Sequence, residues 1–154
     1  MTRFYFAYGA NMSRDSMAHR CPDAQPLRRF CLRGWQLDFC GHATISPRPG
    51  KSVEGVLWRI TESCEDSLDR FEGYPYYYRK RVIEQDGLEF MVYLMNDPVS
   101  GWPTQSYLDL LAEGYQDWNL DVRNLESAVD RIIEPVYNKE EQWIHDSKTP
   151  YTVL

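Results

Sequence analysis

Hydrophobic and polar residues alternate over short distances in the first two-thirds of the chain, a pattern typical of β-strands. The first run, Arg3 to Tyr8, is rich in aromatic residues and stops at Gly9, which predicts a strand followed by a turn. Further strand-like runs are found at 26–39, 44–45, 53–60, 76–84 and 88–95. These runs together predict six or more strands.

Glycine and proline divide these strands. Gly34 interrupts the second run and predicts a bulge or a bend, and the cluster 47–50 predicts a turn. The residues at 56, 58 and 60 are all apolar, so we expect one face of their strand to lie in the core. The Asp86-Gly87 pair predicts a tight turn, which would make the last two strands a hairpin.

Capping residues mark two helices in the first half of the chain. Ser13 is a candidate N-cap for a short helix over 14–19. Either Thr61 or Ser63 is expected to begin a second helix, and Gly73 is a natural residue at which to end it.

Two more helices are predicted near the C-terminus. Thr104 or Ser106 is expected to begin a helix that runs to about Ala112 and is limited by Gly114. Asp121 is expected to cap a longer helix, whose apolar residues recur at helical spacing: Leu125, Ala128, Val129, Ile132 and Ile133. Beyond it we expect a kink or end at Pro135, a polar segment with Trp143, and a surface tail after His145.

The order of these elements favours the α+β class. Strands and helices do not alternate regularly, which disfavours a doubly wound parallel sheet. A mixed sheet that curls into a small β-barrel flanked by helices would cover its own edges. The length of 154 residues, without repeats or linkers, predicts a single domain over 1–154.

Charge and composition exclude several classes of protein. The net charge of −6 disfavours a nucleic-acid partner. There is no apolar run for a signal peptide or a membrane span, so we expect a cytoplasmic protein without a membrane partner. The four cysteines have no metal-ligand spacing, which predicts reduced thiols and neither a metal nor a disulfide.

Glu72 is a candidate for proton transfer. It follows Phe71, whose side chain is expected on the core face of its helix, and it lies at the helix C-terminus, where the macrodipole disfavours an anion. With aromatic neighbours as well, we expect its pKa to be raised, which suits a general base and acid near neutral pH. The alternative is a solvent-facing helix residue.

The small residues after the first strand are a candidate binding loop. Gly9 and Ala10 leave their backbone N–H groups open to a ligand, and Asn11 can lock the loop by hydrogen bonds. The alternative is an ordinary turn between a strand and a helix.

His19, His42 and His145 stand in unrelated contexts, so no catalytic triad can be identified and each is expected to be structural or exposed.

The segment Phe6-Ala7-Tyr8-Gly9-Ala10-Asn11-Met12 resembles the Tyr-Gly-Ser-Asn-Leu signature of the γ-glutamyl cyclotransferase-like family, with Ala10 replacing Ser and Met12 replacing Leu. The resemblance covers about residues 4 to 120. Further motifs follow in the family's order at 37–39, 43–45, 49–50, 53–58, 68–73 and 93–95.

The resemblance implies a small β-barrel with helices, and an enzyme that converts a γ-glutamyl amide into 5-oxoproline without metal or cofactor. It implies Glu72 as the residue that moves protons. It also implies a set of substrate-binding residues: Tyr8, Gly9, Ala10, Asn11, Met12, Tyr78 (or Tyr77 in its place) and Tyr107. The hydroxyl of the family's serine is missing at Ala10.

Three readings of the function follow. The first is a cyclotransferase acting on a small γ-glutamyl substrate, whose leaving group is an amino acid, an alkylamine or a secondary metabolite. The second is a non-catalytic protein of the same fold that binds a small metabolite, and the third is an unrelated acidic interaction domain. The protein is expected to be a monomer or a homodimer.

Overall fold

The structure, a computed structural model, describes residues 2–132. It contains one five-stranded sheet whose strands are β1 (Thr2–Ala7), β2 (Gln25–Cys40), β3 (His42–Thr61), β4 (Tyr78–Gln85) and β5 (Leu88–Met95). Four α-helices accompany it: α1 (Arg14–Arg20), α2 (Glu62–Glu72), α3 (Gln105–Asp117) and α4 (Arg123–Asp130). The mixed α+β class is confirmed.

The sheet has the order β2-β3-β1-β5-β4, with β1 in the centre. Strand β1 pairs antiparallel with β3 and parallel with β5. The sheet does not close into the small β-barrel expected from the sequence, since no backbone ladder joins the edge strands β2 and β4 within the described range. The Gln85 side chain, at the end of β4, instead bonds to the backbone of β2. Its amide donates to Cys31 O at 3.0 Å and accepts from Arg33 N at 2.9 Å.

Strands β2 and β3 form one long hairpin that turns at Gly41. The strands predicted at 44–45 and 53–60 are therefore parts of β3, and the described sheet has five strands where six or more were expected. The turn predicted at 47–50 is instead an irregularity inside β3, in which residues 48–51 lie opposite Gly34. The predicted irregularity at Gly34 is confirmed.

The hairpin β4–β5 is also confirmed. Gln85 pairs with Leu88, so Asp86 and Gly87 form a two-residue turn. Both have positive φ, 54° and 83°, which a turn of type I′ requires. The strand begins at Tyr78 and not at Tyr76, because residues 74–77 form turns after α2.

The caps of the first two helices follow the predictions. Ser13 Oγ accepts from Ser16 N at the start of α1, and Thr61, not Ser63, accepts from Cys64 N at the start of α2. Gly73 ends α2 in the left-handed conformation with φ 65°. This sharp stop places Glu72 as the final residue of the helix.

The predicted end of α3 is wrong. Thr104 caps the helix as expected, but the helix continues through Gly114 to Asp117. Gly114 serves close packing, because a Cβ there would lie 2.8 Å from the Cβ of Met12. The glycine thus lets α3 approach the loop after β1.

Helix α4 is shorter than its apolar pattern predicted. It begins after Val122, which makes no side-chain cap, and it ends at Asp130. Asp121 still contributes, since its carboxylate accepts from Arg123 N at 3.0 Å. The predictions for later positions, namely Ile133, Pro135, Trp143 and His145, fall outside the described residues.

The core lies on both faces of the central strands. Val56, Trp58 and Ile60 are buried as predicted, but Leu57 on the opposite face is fully buried too. Phe6 of β1 packs against Phe30 and Phe90 with ring centroids 5.7 and 5.9 Å apart.

No helix within 2–132 is long and apolar enough to span a membrane.

Candidate active site

The loop after β1 and the last residue of α2 meet at one cavity of about 200 Å³. Most of the site residues predicted from the sequence line it: Tyr8, Gly9, Ala10, Asn11, Glu72, Tyr78 and Tyr107. Met12 is the exception. Its side chain is fully buried in the core, and it does not reach the cavity.

The loop leaves the central strand at Tyr8 and closes a single 3₁₀ turn over Ala10–Met12. Met12 N donates to Gly9 O at 3.1 Å, and Ser13 N donates to Ala10 O at 3.2 Å. The backbone N–H groups of Gly9, Ala10 and Asn11 have no acceptor among residues 2–132. Three successive donors are therefore available to a ligand in the cavity.

Helix α3 fixes this loop from behind. Trp118 Nε1 donates to Met12 O at 2.8 Å, and Ser13 Oγ donates to Glu113 Oε2 at 2.8 Å. Together with the close packing at Gly114, these contacts hold the loop against α3. Met12 is thus an anchor of the loop, and in this chain its side chain serves packing.

Glu72 lies half-buried at the end of α2 and faces the loop. Asn11 Nδ2 donates to Glu72 Oε1 at 3.4 Å, while Oε2 has no partner within the described range. Burial raises the pKa of Glu72 from its ordinary 4.5 to about 7, and the nearby Arg20 guanidinium opposes that rise. The direction agrees with the sequence prediction, although desolvation is the leading cause.

Tyr78 and Tyr107 hold the same residue of β3. Tyr78 OH donates to Ala43 O at 2.6 Å, and Ala43 N donates to Tyr107 OH at 3.0 Å. Burial raises the pKa of both phenols, so both stay protonated at neutral pH. Because Tyr107 OH accepts from Ala43, its own proton can be donated to a ligand.

Tyr8 reaches across the sheet, since its hydroxyl donates to Tyr93 O at 2.6 Å. Tyr93 OH in turn donates to Asp69 Oδ1 at 2.6 Å, one helical turn before Glu72. These bonds connect β1, β5 and α2 around the cavity. The ring of Tyr8 forms part of the wall, while its hydroxyl is committed to the backbone of β5.

Residues 5–120 match the family model described as gamma-glutamyl cyclotransferase, AIG2-like. The chain belongs to this family. It is 30% identical over 149 residues to the human protein named gamma-glutamylcyclotransferase, covering 85% of this chain and 78% of that protein. The mouse protein of the same name is 31% identical over 156 residues, covering 87% of this chain and 80% of that protein.

Solved structures of the cyclotransferase family share the fold. A structure titled gamma-glutamyl cyclotransferase superposes with a TM-score of 0.73 at 26% identity and covers 96% of this chain and 99% of its own. An AIG2-like protein from Mus musculus superposes with a TM-score of 0.54 at 19% identity, over 64% of this chain and 80% of that one. The second likeness shows the fold alone.

Several residues of this cyclotransferase-family site were not predicted from the sequence. Tyr5, His42, Phe71 and Tyr93 line the cavity, and Arg20 binds Asn11 from outside it. His42 Nδ1 lies 2.8 Å from Tyr77 OH at the cavity wall. The signal available for His42 was its position directly before the 43–45 motif, whereas Arg20 carried no signal in the sequence.

The residues that the structure describes contain no group of three or more His, Cys, Asp and Glu side chains that could hold a metal ion. Of the four cysteines, Cys21 and Cys64 are buried, Cys31 is exposed and Cys40 lies between these states, and all four are free thiols. Glu72 is the only carboxylate among the cavity-lining residues in 2–132.

Proposed function

We propose that this chain is an enzyme of the γ-glutamyl cyclotransferase type. It would convert a γ-glutamyl amino acid or amine into 5-oxoproline by intramolecular attack of the α-amine, with Glu72 as general base and acid. The observation that carries the proposal is one half-buried carboxyl, with a pKa raised to about 7, in the same cavity as three residues whose backbone donors have no acceptor among residues 2–132. Membership of the family supports it.

The loop is proposed to hold the glutamyl end of the substrate. The N–H groups of Gly9, Ala10 and Asn11 suit the α-carboxylate or the oxyanion, since aligned backbone donors bind anions without any net charge. Tyr107 adds a hydroxyl donor beside Gly9. Ala10 removes the side-chain hydroxyl of the family signature but leaves these backbone donors in place.

Glu72 is proposed to move two protons in turn. The ionised carboxylate takes a proton from the substrate α-ammonium, and the freed nitrogen lone pair attacks the γ-carbonyl carbon. A new C–N bond closes the five-membered ring and leaves an oxyanion. When the oxyanion collapses, the bond to the leaving nitrogen breaks, and Glu72 gives its proton to that nitrogen. The carboxylate then takes the second proton from the ring nitrogen, which becomes the neutral lactam N–H, and passes it to the released amine or to water.

Oε2, which has no partner in the described part of the chain, is the atom suited to this transfer, because Oε1 already accepts from Asn11. A pKa near 7 serves both halves of the cycle, since the group can take and release a proton at neutral pH. Ring closure is intramolecular, so the cavity needs only to fold the substrate and bind the oxyanion. The proposed cycle uses no cofactor.

The test is a panel of γ-glutamyl amino acids and γ-glutamyl amines, incubated with the desalted protein with and without EDTA. Mass spectrometry should detect 5-oxoproline and the released amine in equal amounts. Turnover that survives EDTA would support a metal-free reaction. Binding of panel members without turnover of any of them would favour the non-catalytic metabolite-binding protein.

A further inference from the structure

We infer that Arg20 is a positioning residue for the reaction: through Asn11 it orients the hydrogen bond to Glu72 Oε1 and leaves Oε2 for the substrate. The inference rests on the proposed function. It concerns a residue that does not line the cavity. Arg20 therefore acts on Glu72 through another side chain and not by touching the substrate.

Arg20 occupies an unusual place for an arginine. It is the last residue of α1, half-buried, with its guanidinium carbon 3.4 Å from the centroid of the Phe71 ring. Its Nη1 donates to Asn11 Oδ1 at 2.5 Å. No carboxylate lies in ion-pair contact with it among residues 2–132, so its hydrogen-bond partner is a neutral amide.

The geometry orients the amide of Asn11. A guanidinium has donors and no acceptor, so only the amide oxygen can face it. The NH₂ group must then point the other way, where it donates to Glu72 Oε1 at 3.4 Å and to Tyr5 OH at 3.1 Å. Two N–H groups thus meet two acceptors. The reversed amide would place donor against donor at Arg20.

The orientation of the Asn11 amide decides which of its groups, NH₂ or oxygen, faces Glu72 Oε1. With the NH₂ group inward, Oε1 receives a donor at 3.4 Å, which favours the carboxylate in this position. With the amide reversed, Asn11 Oδ1 would face an ionised carboxylate and repel it. Arg20 therefore determines that the loop and the catalytic carboxyl attract each other.

Arg20 also supplies the positive charge near Glu72. The titratable groups that line the cavity with Glu72 are His42 and a set of phenols: Tyr5, Tyr8, Tyr77, Tyr78, Tyr93 and Tyr107. The phenols are uncharged at neutral pH. Burial raises the pKa of Glu72 and the Arg20 guanidinium lowers it, so loss of the guanidinium should raise that pKa further.

Four variants separate these effects. Arg20→Met keeps an unbranched apolar chain over Phe71 but removes charge and donors. Arg20→Gln keeps a donor for Asn11 without the charge, and Arg20→Lys keeps both. Arg28→Met is the matched control, because Arg28 also lies over a phenylalanine ring, with its guanidinium carbon 5.2 Å from the centroid of Phe30, and does not line the cavity.

We expect Arg20→Met to lower kcat at pH 7 at least about tenfold while KM stays within about threefold, since the affected group moves protons. The acidic limb of the kcat profile should move to higher pH in both Arg20→Met and Arg20→Gln. Arg20→Lys should restore the limb and most of kcat. Arg28→Met should leave all of these values unchanged.

An unchanged kcat and pH limb in Arg20→Met would overturn the inference. So would a rise in KM with unchanged kcat, or an equal loss in Arg28→Met. A second readout does not depend on turnover: ¹³C NMR titration of the Glu72 carboxyl, assigned by its absence in Glu72→Gln. The titration midpoint should rise in Arg20→Met and Arg20→Gln and not in Arg20→Lys.

The NMR titration separates the two proposals. If the wild-type chain turns over no γ-glutamyl compound, the proposed function fails, and the titration still shows whether Arg20 sets the state of Glu72. If Arg20→Met does not fold, the comparison of Arg20→Gln with Arg20→Lys decides. Equal Glu72 midpoints in those two variants would overturn the role of Arg20.

Discussion

Asn11 and Glu72 lie 61 positions apart in the chain, and the side-chain amide of Asn11 donates to Glu72 Oε1 at 3.4 Å. This bond joins the loop after the central strand to the end of α2. It places a carboxyl with a raised pKa near three backbone donors that no other group between residues 2 and 132 accepts from. The proposed division of labour follows from it, with the loop binding the substrate and Glu72 moving the proton.

Replacing Glu72 by Gln should separate binding from chemistry. The glutamine amide has nearly the same shape but does not take up or release a proton near neutral pH, so we expect kcat to fall at least about a hundredfold. Binding of 5-oxoproline, measured by calorimetry, should change little. Wild-type turnover in Glu72→Gln would remove this residue from the mechanism.

The pH dependence of the rate should follow the ionisation of Glu72. The base must be ionised, so kcat/KM is expected to fall as the pH drops below about 7, where the pKa of Glu72 lies. A profile over pH 5 to 9 with a γ-glutamyl substrate would measure this limb. An acidic limb with its midpoint near 4.5, the ordinary pKa of a glutamate, would contradict the burial of the Glu72 carboxyl.

The same pKa predicts an effect on stability. A carboxyl whose pKa is higher in the folded state favours unfolding once it ionises, so stability is lost as the pH rises from 4.5 through about 7. Glu72→Gln should therefore be more stable than the wild type at pH 8, by about 3 kcal/mol at most, and not at pH 4. Urea unfolding at the two pH values tests the sign. Equal stability of the two proteins at pH 8 would contradict it.

Gly9 should tolerate no side chain. A Cβ there would lie 3.2 Å from Tyr107 OH, and the branches of valine would cover the backbone donors of the loop. We expect Gly9→Val to abolish measurable ligand binding by calorimetry while the protein stays folded. Gly101→Ala is the control, since its added Cβ would meet its nearest atom, Gly41 N, at an ordinary 3.6 Å. Unimpaired affinity in Gly9→Val would overturn the role of the loop.

Tyr78 and Tyr107 should be coupled through Ala43, because one hydroxyl binds its carbonyl and the other its N–H. Each Phe variant leaves one backbone group without its partner, which costs about 1 to 3 kcal/mol. A double-mutant cycle by urea unfolding should show a non-additive sum. Strict additivity would mean that the two bonds act independently.

Gly114→Ala should disturb the loop from outside the cavity. The new Cβ would lie 2.8 Å from Met12 Cβ, so α3 or the loop must move, at a cost of about 1 to 3 kcal/mol. Ligand affinity should fall with stability, because Met12 anchors the loop. Gln116→Ala, at an exposed position of the same helix, should leave both unchanged.

The local elements were largely predictable because their signals are local. The caps at Ser13 and Thr61, the turn at Asp86-Gly87 and the stop at Gly73 depend on neighbours within four residues. Two errors came from glycine and proline at positions where long-range packing decides. Gly114 continues a helix because a neighbouring segment comes close, and residues 47–50 stay within a strand because they pair with β2.

The sequence by itself determined the α+β class, the family signature and the identity of Glu72 as the candidate carboxyl, since each depends on residue type and local spacing. Only the tertiary structure decided that Met12 is an anchor, that the sheet stays open, and that Arg20 reaches Asn11. These are contacts between segments far apart in the chain. No spacing within one segment encodes which side chains of two packed segments will meet.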